Sequence, residues 1–284
     1  MKEKEIILNK IINIKDKVMK NNPLIHCITN NITINDCANI VLSAYGRPIM
    51  AEHYKEVFDI TKSASSLAIN LGNITDDRMK SIMISGKTAY ENKIPTIIDI
   101  VGVSCSNLRL NFAIDFINKC KPSVIKGNIS EIKAIFGLSI KSNGIDVNKE
   151  DETNNVNINH NVYIVKELAI KTSSTIVATG AIDIISNGNR TYIIENGCEE
   201  LSRITGTGCM LNALIATYIS SNDIMNSAIL GTIVMGISGE LSKNQLQYEE
   251  NNIGMGSFKI KLIDNISTIK SEDILEKVKI REVY

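Results

Sequence analysis

The stretch "RITGTGCMLNALIATYIS", residues 203–220, joins a glycine-rich turn to an apolar helix and puts a thiol, Cys209, at the joint. Leu211, Leu214, Ile215 and Ile219 fall on one helical stripe, and the small Ala213 and Ala216 allow close packing. A helix starting near Gly208 offers unsatisfied N–H groups and the positive end of its dipole. Gly206 and Gly208 let backbone approach an anion without a Cβ in the way. The turn therefore suits a phosphate or a developing negative charge. Close helix packing around the glycines and an inert buried Cys209 are the plainer readings of the same residues.

Other reactive side chains stand where apolar runs end. "PLIHCI" leads into Thr29-Asn30-Asn31, "IPTIIDI" carries Asp99 before Val101-Gly102-Val103, and "PSVIKG" holds Lys126 before Asn128 and Glu131. "STIVATG" ends in Thr179-Gly180. In open parallel sheets ligands gather outside the carboxyl ends of the strands. Asp99 and Glu131 are candidate handles for Mg²⁺, which takes oxygen ligands and keeps several waters. Thr179 offers a hydroxyl to phosphate and Lys126 a charge. A turn or helix cap for Asp99, a dipole partner for Glu131 and a surface position for Lys126 remain open alternatives.

The elements that must hold these residues alternate. Strands are expected at 23–28, 66–71, 94–100, 122–127, 174–180, 181–186 and 190–195, several of them continuous apolar runs typical of strands covered on both faces. Helical stretches lie near 33–45, 54–65, 76–92, 107–120, 129–137 and 160–172, the N-terminal residues 1–22 show helical spacing, and from 208 onward helix follows helix. Asn187-Gly188-Asn189 between two strands predicts a hairpin and an antiparallel edge. Residues 139–161, rich in Asn, Asp and Lys, predict a solvated connection. The sum is an α/β layered fold with a mostly parallel sheet and a helical C-terminal third, in one domain over 1–284.

Composition narrows the function. The 284 residues carry 31 Lys plus Arg against 31 Asp plus Glu, so no global field favours nucleic acid or membrane. Aromatics make up only 5 % and Trp is absent, which argues against a base-stacking or sugar-stacking platform. Six scattered cysteines without a C-x-x-C pair, and three histidines, speak against zinc or disulfide frameworks. No signal peptide and no apolar run of membrane-spanning length is apparent, so a cytoplasmic protein is expected.

Several blocks together resemble the hydroxyethylthiazole kinase family of the ribokinase-like superfamily. They are "PLIHCITNNITINDCANIVLSAYGRPIMAE", "IDIVGVSCSNLR", "KPSVIKGNISEI", "VATGAIDII", "ITGTGCML" and "GMGSFKIKLID", nearly end to end along the chain. The resemblance implies a three-layer fold with a mostly parallel central sheet flanked by helices. It implies ATP-dependent phosphorylation of the primary alcohol of 4-methyl-5-(2-hydroxyethyl)thiazole, with Mg²⁺, in a homotrimer whose sites lie at subunit boundaries. Met50 would then line the thiazole pocket, Asn30 would orient the substrate and Gly206 would contact it through its backbone. Lys126 and Thr179 would contact ATP, Asp99 and Glu131 would serve the metal and phosphate, and Cys209 would stand where many superfamily members carry an aspartate base. A helix N-terminus would lower the Cys209 pKa, whereas neighbouring phosphates would oppose that.

Two departures from the family pattern carry consequences. Lys126 replaces an arginine, which keeps the charge and loses the bidentate fork. Asp99-Ile100-Val101-Gly102-Val103-Ser104 lacks the family's proline and second glycine. Rival readings are a related kinase of a pyrimidine or pyridoxal alcohol, a non-catalytic nucleotide-binding homologue, and a cysteine hydrolase built on Cys209 with His26.

Overall fold

The structure is a computed structural model, and it describes residues 2–137, 157–250 and 253–284. Most of the expected 139–161 connection lies outside the described residues, and its last residues open a helix. The chain runs α1 (Lys2–Asn21), β1 (Leu24–Ile28), α2 (Ile34–Ser43), β2 (Arg47–Ile49), α3 (Val57–Ser63), β3 (Ser66–Asn70), α4 (Asp76–Glu91) and β4 (Thr96–Asp99). It continues through α5 (Asn107–Cys120), β5 (Val124–Asn128), α6 (Ile129–Phe136), α7 (Ile158–Thr172), β6 (Thr175–Thr179), β7 (Asp183–Ser186) and β8 (Thr191–Ile194). A short 3-10 helix, Glu199–Arg203, precedes α8 (Thr207–Ile219), α9 (Ile224–Glu250), α10 (Met255–Thr268), α11 (Ser271–Lys277) and β9 (Ile280–Val283).

The strands form one sheet in the order β2-β1-β3-β4-β5-β6-β7-β8-β9. Pairing is parallel from β2 through β6 and antiparallel from β6 through β9. Side chains alternate between two cores, one on each face. Cys27, Ala68, Ile97, Val124 and Val177 enter the core under α1, α2, α8, α9 and α10. Ile28, Ile69, Ile98, Ile125 and Ile176 enter the core under α3 to α7. That double burial explains why these strands read as unbroken apolar runs. α1 uses Ile7, Ile11, Ile14 and Val18, spaced three or four apart, to join the first core.

Three expectations change. The β7–β8 hairpin exists, with Gly188 at φ +86 in its turn, but it is not the sheet's edge because β9 pairs outside β8. The C-terminal third is therefore helical only as far as α11. β2, three residues long, is too short to give a periodic signal, and β9 carries Arg281 and Glu282 where the strands read from sequence carry apolar runs. Finally, Ile224–Tyr248 is long and apolar enough to cross a membrane by length and composition, contrary to expectation. Gly231, Thr232, Gly236, Ser238 and Gly239 break up its apolar run in the sequence, and 72 % of its apolar window is buried against the fold.

The sheet's antiparallel end contrasts a polar tie with core packing. Arg190 Nε and Nη2 donate to Glu282 Oε1 and Oε2, each at 2.7 Å, and the Arg190 side chain is 39 % exposed. Ile193 on the next strand is buried in the second core. Glu282→Ala is therefore expected to cost under about 1 kcal/mol, and Ile193→Ala about 2–5 kcal/mol, as read from urea denaturation midpoints.

Candidate active site

The strand order reverses beside β1. From β1 the chain steps outward to β2 and then returns across β1 to β3, so the carboxyl ends of β1 and β3 flank a topological switch point. Asn30, two residues past β1, and Asn70, the last residue of β3, meet there: Asn30 Nδ2 donates to Asn70 Oδ1 at 3.3 Å. Neither amide can flip. Asn30 Oδ1 accepts from Ile32 N, Thr33 N and Thr33 Oγ1, each at 3.1 Å. Asn70 Oδ1 accepts Gly72 N at 2.8 Å. Both NH₂ groups must then face inward. They donate to Cys209 Sγ at 3.1 Å from Asn30 and 3.3 Å from Asn70.

The network continues along the strand ends. Asn70 Nδ2 also donates to Asp99 Oδ2 at 3.1 Å, and Lys126 Nζ reaches the same oxygen at 2.8 Å. Asp99 and Lys126 share a register on β4 and β5, and their side chains are 3 % and 4 % exposed. Burial works against the Lys126 ammonium, yet the adjacent Asp99 carboxylate holds its pKa above the ordinary lysine value. Burial raises Asp99, and Lys126 opposes the rise without cancelling it. The pair closes on itself because neither charge has water to turn to.

Above this pair stands the start of α8. Gly206, at φ +96, is the N-cap, and no side chain caps the helix. Gly208 is exposed, and a Cβ placed on it would stand 3.4 Å from Lys126 Nζ. An uncapped N-terminus over a buried ammonium is a site for an anion. The turn is fitted tightly from below, because a Cβ on Gly206 would strike Thr33 Cγ2.

Cys209 departs from expectation in one respect. Its pKa is raised, by burial first and then by the Asp99 charge, despite the amide donors and the nearby Lys126. The helix N-terminus does not yield a ready thiolate here. His26 does not serve it either. Its Nε2 contacts the Ala51 carbonyl at 2.8 Å, so Nε2 carries the proton and Nδ1 accepts from Thr61 Oγ1 at 2.9 Å. Burial keeps this imidazole neutral by lowering its pKa. The hydrolase reading loses its base, and His26 becomes a tie between β1 and the loop that carries Met50.

Glu131 sits in a capping box at the start of α6. Its Oε1 accepts Gly102 N and its Oε2 accepts Asn128 N, both at 2.8 Å, while Asn128 Oδ1 accepts Glu131 N at 2.9 Å. Burial, with the Asp99 charge adding to it, pushes Glu131 up to about 8. Among the described residues no three His, Cys, Asp or Glu side chains cluster to hold a metal. With both Glu131 oxygens on backbone and one Asp99 oxygen on Lys126, the two carboxylates fit Mg²⁺ only through water and phosphate oxygens. Thr179, beside Asn128 in register, donates to the Gly127 carbonyl at 3.3 Å.

Met50 follows β2 and is partly buried against the first core. From β2 to β6 the carboxyl edge crosses five strand spacings, about 24 Å at ~4.8 Å each. Met50 and Thr179 therefore cannot touch one small ligand. Cys209, Asn70 and Asp99 lie between them. Asn70 and Thr33 complete the network although neither is among the residues expected from sequence. Asn70 is the polar end of an otherwise apolar run, the same signal that marks Asp99.

A model of the hydroxyethylthiazole kinase family matches residues 15–272. The chain belongs to the hydroxyethylthiazole kinase family. It is 54 % identical over 267 residues to hydroxyethylthiazole kinase 2 of Clostridium botulinum (strain 657 / Type Ba4), covering 94 % of this chain and 98 % of that one. It is 40 % identical over 285 residues to hydroxyethylthiazole kinase 1 of Methanosphaera stadtmanae, covering 98 % of this chain and 99 % of that one. Among solved structures, a hydroxyethylthiazole kinase protein from Pyrococcus horikoshii OT3 superposes with a TM-score of 0.85 at 28 % identity, covering 97 % of this chain and all of that one. An ADP complex of Bacillus subtilis pyridoxal kinase shares the fold alone, with a TM-score of 0.57 at 12 % identity over 76 % of this chain and 90 % of that one.

The ion pair gives a test of the site's construction. Asp99→Asn leaves a buried ammonium without its counter-charge and is expected to cost about 3–5 kcal/mol. Asp99→Leu combined with Lys126→Met removes both charges and should recover most of that loss in a urea titration, without recovering activity.

Proposed function

We propose that this protein transfers the γ-phosphoryl group of ATP to the primary alcohol of 4-methyl-5-(2-hydroxyethyl)thiazole, yielding the thiazole phosphate used to build thiamine phosphate. The observation that carries the reading is the uncapped N-terminus of α8 standing over the Lys126–Asp99 pair. It lies midway between an apolar end, marked by Met50, and a polar end, marked by Thr179 and Glu131. Family membership supplies the substrate class.

In this reading the thiazole ring lies against Met50, whose polarizable side chain suits a sulfur heterocycle. Asn30 orients the hydroxyethyl arm and Gly206 meets it through backbone. ATP enters from the other end, with Thr179 near its phosphates and Lys126 supplying charge from below. The alcohol oxygen bonds to the γ-phosphorus, the bond from that phosphorus to the bridging oxygen breaks, ADP leaves and the alcohol proton is released. Phosphoryl transfer rests chiefly on positioning and charge stabilisation. The N–H groups of the Gly206–Cys209 turn meet that need at the transferring group. Mg²⁺, held through its waters by Asp99 and Glu131, would neutralise phosphate charge.

Cys209 enters as a thiol. Its raised pKa makes it a poor proton acceptor and favours an orienting role with Asn30 and Asn70. We accordingly expect a slow kinase, acting as one domain over 1–284. The six free cysteines suit the cytoplasm. Exposed Ile32, Leu42, Tyr45 and Ile260 suit burial between the subunits of a homotrimer.

The test is ADP release by purified protein with Mg-ATP and hydroxyethylthiazole, run beside hydroxymethylpyrimidine and pyridoxal. Turnover with the thiazole alone is expected. ATP binding without turnover on any alcohol would mean a nucleotide-binding homologue. Met50→Asp should raise KM for the thiazole by roughly tenfold or more and leave KM for ATP unchanged. An equal rise in both would remove Met50 from the acceptor pocket.

A further inference from the structure

Met50 and Asn30 sit on loops, and loops place a small ligand well only when something fixes them. Arg78, in the first turn of α4, is 6 % exposed and far from solvent for an arginine. Its Nη2 donates to Glu52 Oε2 at 2.6 Å and to Asn31 Oδ1 at 2.7 Å, and its Nη1 donates to the Asn73 carbonyl at 3.0 Å. One guanidinium thus holds the loops that follow β1, β2 and β3, the three strands around the switch point. Asn31 is adjacent to Asn30, and Glu52 is two residues from Met50.

We propose that Arg78 is the positioning residue of the acceptor end: through Asn31, Glu52 and Asn73 it fixes the three loops that set the distance between Asn30 and Met50. The inference rests on the acceptor assignment of the preceding section. The planar fork suits the task because its donors diverge at fixed angles, and a lysine in its place has no second arm. Two further contacts pin the same stretch after β2. His26 Nε2 holds the Ala51 carbonyl at 2.8 Å, and Lys80 Nζ lies 3.8 Å from the centroid of the Tyr54 ring. Neither of these reaches the loop after β1, whereas Arg78 joins that loop directly to the one after β2. The Asp99–Lys126 pair and Thr179 lie toward the other end of the edge, away from Asn31, Glu52 and Asn73, to which the Arg78 guanidinium donates.

The experiment compares Arg78→Lys and Glu52→Ala with the unaltered protein by two readouts. The first is amide hydrogen exchange, which needs no substrate. Faster exchange is expected at 31–33 and 50–54, with the core of β3 to β6 unchanged. Unchanged exchange in both loops of folded Arg78→Lys overturns the proposal. The second is steady-state kinetics. KM for hydroxyethylthiazole should rise roughly ten- to hundredfold while KM for ATP stays the same. A parallel rise in both would make Arg78 a general structural residue and also overturn it. Should Arg78→Lys fail to fold, Glu52→Ala carries the same two readouts, because Glu52 is half-exposed with a side chain 46 % accessible. Glu52→Gln, which keeps an oxygen for Arg78, should restore most of the acceptor KM. If the unaltered protein phosphorylates no thiazole alcohol, the acceptor assignment fails, and hydrogen exchange still decides whether Arg78 clamps the loops.

Discussion

A buried ammonium and a buried carboxylate, 2.8 Å apart, fix the centre of this molecule. Lys126 and Asp99 belong to neighbouring strands in register, so the sheet itself brings them together. Neither can be hydrated, and the cost of their burial is met only while each faces the other. Everything around them conforms. Asn70 must donate to the shared oxygen, Cys209 must receive the amide hydrogens left over, and Gly208 of the α8 turn lies over the ammonium, where a Cβ would stand 3.4 Å from it. The result is a row of polar groups with their hydrogen-bond directions set from one end, by the backbone donors on Asn30, to the other.

The row changes character along the edge. Around Cys209 the polar groups are the neutral amides of Asn30 and Asn70, with Met50 and the Arg78–Glu52 ion pair toward β2. Toward β5 stand the buried Asp99–Lys126 pair and Glu131.

Much of this was readable before folding. The apolar runs of β1 and β3 to β8 announced themselves because they are buried on both faces, and their polar terminal residues marked the edge where ligands gather. That reasoning points to Asp99, Lys126, Glu131 and Thr179, which stand at or just past the carboxyl ends of β4, β5 and β6. Asn70 obeys the same rule, yet an asparagine at a strand end reads equally as a turn. Arg78 was illegible because it sits among charged neighbours at a helix start, and only tertiary contacts show that its guanidinium points inward. The direction of the Cys209 shift was also out of reach. A helix N-terminus argues for a thiolate, and burial first, then the Asp99 charge, reverse the sign. β2 is too brief for any period to emerge, and Arg281 and Glu282 break the apolar run of β9.

α1 is held by elements far along the chain from it. α1 packs on α9, and Lys17 Nζ donates to the Ser221 carbonyl at 2.8 Å, more than two hundred residues along the chain. β9, the final strand, closes over β8. Contacts of such high sequence separation demand closure of nearly the whole chain before they stabilise anything, which sets α1 apart from the helices that pack on their sequence neighbours. The lysines of α1 keep its opposite face in water.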